Sequence, residues 1–215
     1  MKYSSLKTSY KKFSGLEGNQ HIAGEYAILK LAEIIKIFKV KNVFEVGLGI
    51  GSIAGSILRA TKADEINQYV GIENNAFCLT SLPANLGVEY RRLSIYPDLN
   101  SVPDKKLYDL IIIDGTDTNL NKVRSLISKH GVIAIEGDRS LQQKILQDLF
   151  PQQISVHCIS KEKNKIYSPF PAANWQGGIK IIFLKPTIRQ YIWWIKEKFS
   201  TKLKYAYRRR KKNER

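Results

Sequence analysis

The chain has 215 residues, 43% of them hydrophobic, and a formal net charge of +16, which suits one substantial core rather than several. Its apolar runs fall far short of the roughly 20 residues that a membrane-crossing helix needs, and the opening MKYSSLKTSYKKF has no apolar signal core. Neither a bilayer-spanning nor a secreted protein is expected. Cys78 and Cys158 are the only cysteines and form no CxxC pair, so a disulfide scaffold is excluded and a cytoplasmic protein with two buried thiols is the expectation.

The charge sits at the ends. Residues 185–215 carry 12 Lys/Arg against 2 Asp/Glu, and residues 1–20 carry 4 Lys against 1 Glu, so the body between them is nearly neutral. The division that follows is a basic N-terminal segment (1–20), a globular domain (21–186) and a basic amphipathic extension (187–215).

Within residues 22–39, IAGEYAILKLAEIIKIFK, the apolar positions Ile28, Leu31, Ile34/Ile35 and Phe38 recur at helical spacing. VFEV (43–46) reads as the first strand, followed by a glycine turn and a helix in SIAGSILRATK. YVGIE (69–73) starts about 26 residues after the first strand, a β-α-β interval. NAFCLTSLPANL predicts a helix broken near Pro83, and VEYRRLSI (88–95) a third strand. LIIID (110–114) is apolar until its last residue, as a strand covered on both faces should be. A short helix around NLNKVRSLISK leads to a strand in GVIAIE (131–136), a helix in SLQQKILQDLF, and two last strands in ISVHCIS (154–160) and GIKIIFL (178–184). The loop KEKNKIYSPFPAANWQGG between these two is long and rich in aromatics, and is read as a lid or substrate wall. Strands alternating with helices imply an α/β fold with a doubly wound, mostly parallel sheet of seven strands.

Ligands of such sheets bind beyond the carboxyl ends of the strands, and four strands end there in acid: Glu45 before the turn Gly47-Leu48-Gly49-Ile50-Gly51-Ser52, Glu73-Asn74, Asp114-Gly115-Thr116-Asp117, and Glu136-Gly137-Asp138. Acids and glycines also cap helices, but four on one rim point to a site. A dinucleotide fold wants GxGxxG, with the pyrophosphate on the helix N–H groups. Here Ser52 takes the place of the third glycine, and Glu45 before the turn suits a cationic ligand better than a pyrophosphate.

FEVGLGIGS resembles motif I, E/D-x-G-x-G-x-G, of class I S-adenosylmethionine-dependent methyltransferases. The resemblance runs through GIENN and YDLIIIDG to HGVIAIEGD, over roughly residues 21–184. It implies a Rossmann-like methyltransferase domain binding S-adenosylmethionine. Glu45, Gly47, Gly49, Gly51 and Ser52 would hold the methionine part, Glu73 with Asn74 the ribose, and Ser94 and Ile95, near Tyr96, the adenine, unless Asp98 reaches back. Asp114 would border the cofactor. Glycine permits close backbone approach, and a carboxylate accepts two hydrogen bonds from a cis-diol.

Methyl transfer is an in-line displacement, needing alignment and a base if the nucleophile carries a proton. Asp114, Glu136 and Asp138 are the candidate bases, with a purely pocket-shaping Asp114 as the alternative. The IDG ending also resembles the catechol O-methyltransferase-like branch, whose acids at strands four and five hold magnesium. This sequence has Glu136-Gly137 in place of Asp-Asn, so no metal ligand is assigned and magnesium is not favoured. Arg139 reads first as a salt-bridge partner and second as a handle for an anionic substrate. The N/D-P-P-Y/F motif of amino-methyltransferases acting on nucleic acid is absent. The acceptor expected is a hydroxyl or carboxyl of a small molecule or sugar-containing metabolite.

In residues 187–207, Ile188, Ile192, Ile195, Phe199 and Leu203 form one helical stripe, with Arg189, Lys196 and Lys204 largely elsewhere. Such a helix packs on its own domain, forms a homodimer, or lies on an anionic membrane surface, and RNA is the remaining partner. Peripheral membrane attachment therefore stands beside a free cytoplasmic location. Two other functions remain open: a non-catalytic Rossmann-like binding protein attached to membrane or RNA through the tail, and a nucleic-acid methyltransferase.

Overall fold

The computed structural model describes residues 3–104, 107–137 and 139–213. Seven strands form one sheet in the order β3-β2-β1-β4-β5-β7-β6: β1 (Asn42–Val46), β2 (Gln68–Ile72), β3 (Leu93–Tyr96), β4 (Tyr108–Ile113), β5 (Ile127–Glu136), β6 (Ile154–Cys158) and β7 (Ile179–Phe183). The first five run parallel, and β7 lies antiparallel between β5 and β6. This is the doubly wound, mostly parallel α/β sheet expected. Strand order reverses between β1 and β4.

Both faces of the sheet are covered. On β4, Leu110 and Ile112 join one core with helices α2 (Glu25–Phe38), α3 (Ser52–Ala60) and α4 (Ala76–Leu86), while Ile111 and Ile113 join the other with α5 (Val123–Leu126) and α6 (Ser140–Leu149). The period of two along an extended chain divides the apolar run Leu110–Ile113 between two cores. Ile28, Leu31, Ile34 and Ile35 of α2 are buried as their spacing requires.

Helix α1 (Tyr3–Ser14) comes from the basic N-terminal segment, yet Leu6, Tyr10 and Phe13 are buried in the first core. These residues recur at four and three, one side of a helix, and leave the lysines outside. A Cβ on Gly55 of α3 would lie 2.7 Å from the Phe13 ring, so the missing side chain makes room for that ring.

Three local expectations are corrected. Helix α4 is unbroken at Pro83: it loses one backbone donor there, while buried Leu82 and Leu86 hold the helix on either side. Residues 87–92 form a 3-10 turn rather than the start of β3, because Arg92 folds back to donate to the Leu58 and Lys62 carbonyls (2.7 and 3.1 Å) and pairs with Glu89 at 2.7 Å. The helix expected at 119–129 shrinks to a 3-10 turn and the single turn of α5, since Ile127 already pairs with Tyr108 in the sheet.

Phe13→Ala should lower stability by about 3–5 kcal/mol, the cost of emptying a fully buried aromatic site. Urea unfolding followed by circular dichroism measures it; a change under about 1 kcal/mol would mean that α1 is not part of the core.

Candidate functional site

The turn after β1 is built of three left-handed glycines, Gly47, Gly49 and Gly51. A Cβ on Gly47 would lie 2.6 Å from the Gly115 Cα, so the ends of β1 and β4 touch backbone to backbone. The Gly47 and Leu48 N–H groups donate to the Ile72 carbonyl at 3.2 and 3.1 Å. Gly49, at φ +53°, has open space where a Cβ would stand. Gly51 does not line the cleft; its missing Cβ makes room for Leu82 and Leu86.

Glu73 ties this turn to the next strand. One carboxylate oxygen accepts from Gly49 N–H at 2.7 Å, the other from Asn74 and Asn75 N–H at 2.9 Å each. Asn75 in turn caps α4 through Cys78 N–H. The Gly49 donor that a pyrophosphate would seek is thereby taken.

A cleft of about 440 Å³ opens above the turn, within the size range of small-molecule sites. Gly47, Gly49 and Ser52 form its floor, Glu73 and Asn74 one wall, Asp114 and Asp117 the other. Gly18, Gln20 and His21, between α1 and α2, also line it, and Phe77 and Pro97 add apolar surface. The lining holds the carboxyl groups of Glu73, Asp114 and Asp117 and, among the described residues, no Lys or Arg, a set that suits a cationic ligand better than an anionic one.

Several expected site residues lie elsewhere. Glu45 is fully buried beneath the turn, accepting a hydrogen bond from the Tyr69 hydroxyl, and its Oε1 has no partner among the described residues. Burial raises its pKa well above the usual carboxylate range, against the Tyr69 bond, and Asp114 and Glu73 push it the same way. Burial thus favours its neutral form, and it does not line the cleft. Ser94 and Ile95 do not line the cleft: β3 runs on to Tyr96, and the rim residue is Pro97. Asp98 does not reach back, because its carboxylate accepts from Ser101 N–H and hydroxyl at 2.8 Å each. No residue of the loop 161–178 lines the cleft; its Ser168 and Tyr167 bond to Tyr10 of α1 and Glu25 of α2. Cys158 is buried as expected, but Cys78 borders the cleft. Asp138 lies outside the described residues.

Asp114 and Glu136 form one unit with Arg139. Arg139 Nη2 stands 3.0 Å from Asp114 Oδ1 and also donates to the Asp114 carbonyl, while its Nε donates to the Glu136 carbonyl at 2.8 Å. Gly24 N–H donates to Glu136 Oε1 at 3.1 Å. Burial raises both acids, and the neighbouring Glu136 charge raises Asp114 further, well above its ordinary value. The two carboxyls titrate as one coupled pair, and burial favours a proton held between them. Of the pair, only Asp114 lines the cleft. Arg139 already pairs with the Asp114 carboxyl that a magnesium ion would need as a ligand.

No family model and no curated protein sequence matches the chain. Among solved structures, it resembles the O-methyltransferase from Bacillus cereus in complex with SAH, at 13% identity and TM-score 0.61, over 86% of this chain and 92% of that one. It also resembles the O-methyltransferase TomG from Streptomyces achromogenes, involved in tomaymycin synthesis and in complex with SAM, at 10% identity and TM-score 0.60, over 86% and 91%. A SAM-dependent O-methyltransferase from Thermotoga maritima matches at 14% identity and TM-score 0.54, over 74% and 64%. The chain has the Rossmann-like fold of the class I methyltransferases.

Sequence reasoning missed Gln20, His21, Phe77 and Pro97. Phe77 and Pro97 were legible as residues just past the ends of β2 and β3; Gln20 and His21 were not, because they reach the rim only through the docking of α1.

Glu45 holds its proton to higher pH in the folded than in the unfolded chain, where carboxylates ionise near 4.3. The stability it contributes is full below that pH and is lost as pH rises toward its raised folded value. Glu45→Gln keeps an acceptor for Tyr69 and cannot ionise. Its melting temperature relative to the native chain should rise between about pH 4 and pH 8; a constant difference would show that Glu45 is not held neutral.

Proposed function

We propose that the chain is an S-adenosylmethionine-dependent methyltransferase acting on a hydroxyl or carboxyl oxygen of a small molecule or sugar-containing metabolite. One observation carries the reading: Glu73, fixed by three backbone N–H groups, stands in an acid-lined cleft beside an unfilled space at Gly49. Carboxylate oxygens that accept in-plane N–H bonds keep further lone pairs for a ribose cis-diol. Gly47 and Gly49 let an amino-acid moiety approach the backbone, with Gln20, His21, Ser52 and Asn74 as further polar contacts. Phe77 and Pro97 offer apolar faces for a purine in place of Ser94 and Ile95. The carboxylates of Glu73 and Asp117 favour a sulfonium centre.

The cofactor supplies an electrophilic methyl group. The chain aligns an acceptor oxygen with it and disposes of a proton. A hydroxyl proton taken up at Asp114 leaves both carboxyls of the pair protonated beside Arg139, until one proton passes to solvent and restores the pair's single negative charge. Arg139 is thus a positioning residue for Asp114. The Asp114-Gly115-Thr116-Asp117 segment lacks the proline and aromatic residue of the amino-methyltransferase motif, and the similar structures are O-methyltransferases; both support an oxygen acceptor.

Calorimetric titration with S-adenosylmethionine should show binding, weakened about tenfold to a hundredfold by Glu73→Ala in a chain that still melts cooperatively. Unchanged binding would remove Glu73 from the ribose site. With a small-molecule acceptor, Asp114→Asn should keep cofactor affinity and lower transfer about a hundredfold. In the native chain, transfer should fall as pH drops and the pair gains its second proton, at a midpoint above the ordinary carboxylate range. Full transfer by Asp114→Asn would exclude Asp114 as the proton acceptor.

A further inference from the structure

Helix α7 (Ile188–Asn213) docks on the body through Trp193, which joins the core against Phe38 and Phe183, and through polar side chains around it, and turns its aliphatic stripe to solvent. The docked side holds Gln190, Trp193, Glu197 and Thr201, all buried. Gln190 donates to the His130 carbonyl at 2.8 Å, Trp193 Nε1 to Glu33 at 3.0 Å and Trp194 Nε1 to the Ser155 carbonyl at 2.8 Å. Glu197 pairs with the buried Lys30 at 3.2 Å, and Arg208 donates to the Ser160 and Gln176 carbonyls at 2.7 and 3.0 Å. These bonds fix the rotation of the helix about its axis. The stripe that the sequence alone would place in the core is consequently outside: Ile188 is 83% exposed, Ile192 and Ile195 49%, Phe199 65% and Leu203 58%.

At 100° per residue, Arg189 and Lys196 flank this crest on one side and Lys198, Lys202 and Arg209 on the other, all exposed. Glu197 is the one acid between Ile188 and Asn213, and it faces inward. Over residues 188–203, about 24 Å of helix, the outer side is therefore an apolar ridge between two basic margins, with no negative charge of its own.

We propose that α7 lies flat on an anionic membrane surface, its Ile192–Ile195–Phe199–Leu203 crest inserted among the lipids and its Lys/Arg margins at the headgroups. A second copy of the chain fits less well, because a two-fold contact along the crest would bring basic margin against basic margin with no acid to pair them. An RNA would satisfy the margins and leave the crest in water. A lipid interface satisfies both, since burial of the apolar face and attraction to anionic headgroups add. Among the described residues no helix is long and apolar enough to cross a membrane, so attachment is along the surface. This inference is independent of the methyltransferase reading.

Flotation of the full-length chain with phosphatidylcholine vesicles, with and without phosphatidylserine, tests it. The native chain should float only with phosphatidylserine present. I195S/F199S, which alters exposed positions, and K198Q/K202Q should each weaken binding about tenfold or more at an unchanged melting temperature. Absence of flotation would overturn the proposal. So would flotation unaffected by I195S/F199S, the behaviour of a charge-only polyanion site such as one for RNA, or a solution dimer that I195S/F199S converts to monomer.

Discussion

The contact between Gly47 and Gly115 sets the geometry of the whole rim. The two glycines stand at the ends of neighbouring strands where strand order reverses, closer than any side chain would permit. That approach brings the turn over β1 against the first residues after β4, so that Gly49 and Asp114 border one cleft rather than two. The other links depend on it. Glu73 can reach Gly49 N–H only because the turn bends over β2, and the Ile72 carbonyl holds the start of that turn through two N–H groups. Any larger residue at either glycine would part the strand ends and dissolve this arrangement.

Acid dominates the site, but little of it is free charge. Burial favours the neutral form of Glu45, and Asp114 and Glu136 share a proton beside Arg139. Removing carboxylates from water is costly unless they are protonated or paired, and both solutions occur within one strand-end rim. The charge left facing the cleft belongs mainly to Glu73 and Asp117, each held by backbone N–H groups. Such a site discriminates against phosphates and favours a ligand with a cationic centre and vicinal hydroxyls. Arg139 supplies the positive charge that a metal would otherwise bring to the pair, fixed by two backbone carbonyls in a way that a hydrated ion is not.

Sequence patterns reveal periodicity, and periodicity tells less about partners. β1, β2, β4 and the helix from Glu25 to Phe38 were legible because each is covered by the body in only one way. β3 was less so: at the sheet edge its pattern is weak, and Arg92 pulled the preceding residues into a turn. Glu73, Asn74 and Asp114 fell at the cleft because a strand end in this topology points there. Glu45, one turn of backbone earlier, did not, since alternation along β1 sends its side chain into the core below. Leu6, Tyr10 and Phe13 carried a helical pattern hidden among lysines. In α7 the stripe was visible, but which side would dock was decided by Gln190, Trp193 and Glu197, whose partners are distant in sequence.

The central claim is that the cleft over Gly47–Gly49, walled by Glu73, is a nucleoside site. The most direct measurement is a crystal structure of the chain with S-adenosylhomocysteine. Density with the ribose hydroxyls on Glu73, the amino-acid end over Gly49 and the purine between Phe77 and Pro97 is expected. Ligand bound away from Glu73, or a cleft that stays empty at saturating ligand while the chain remains folded, would contradict it.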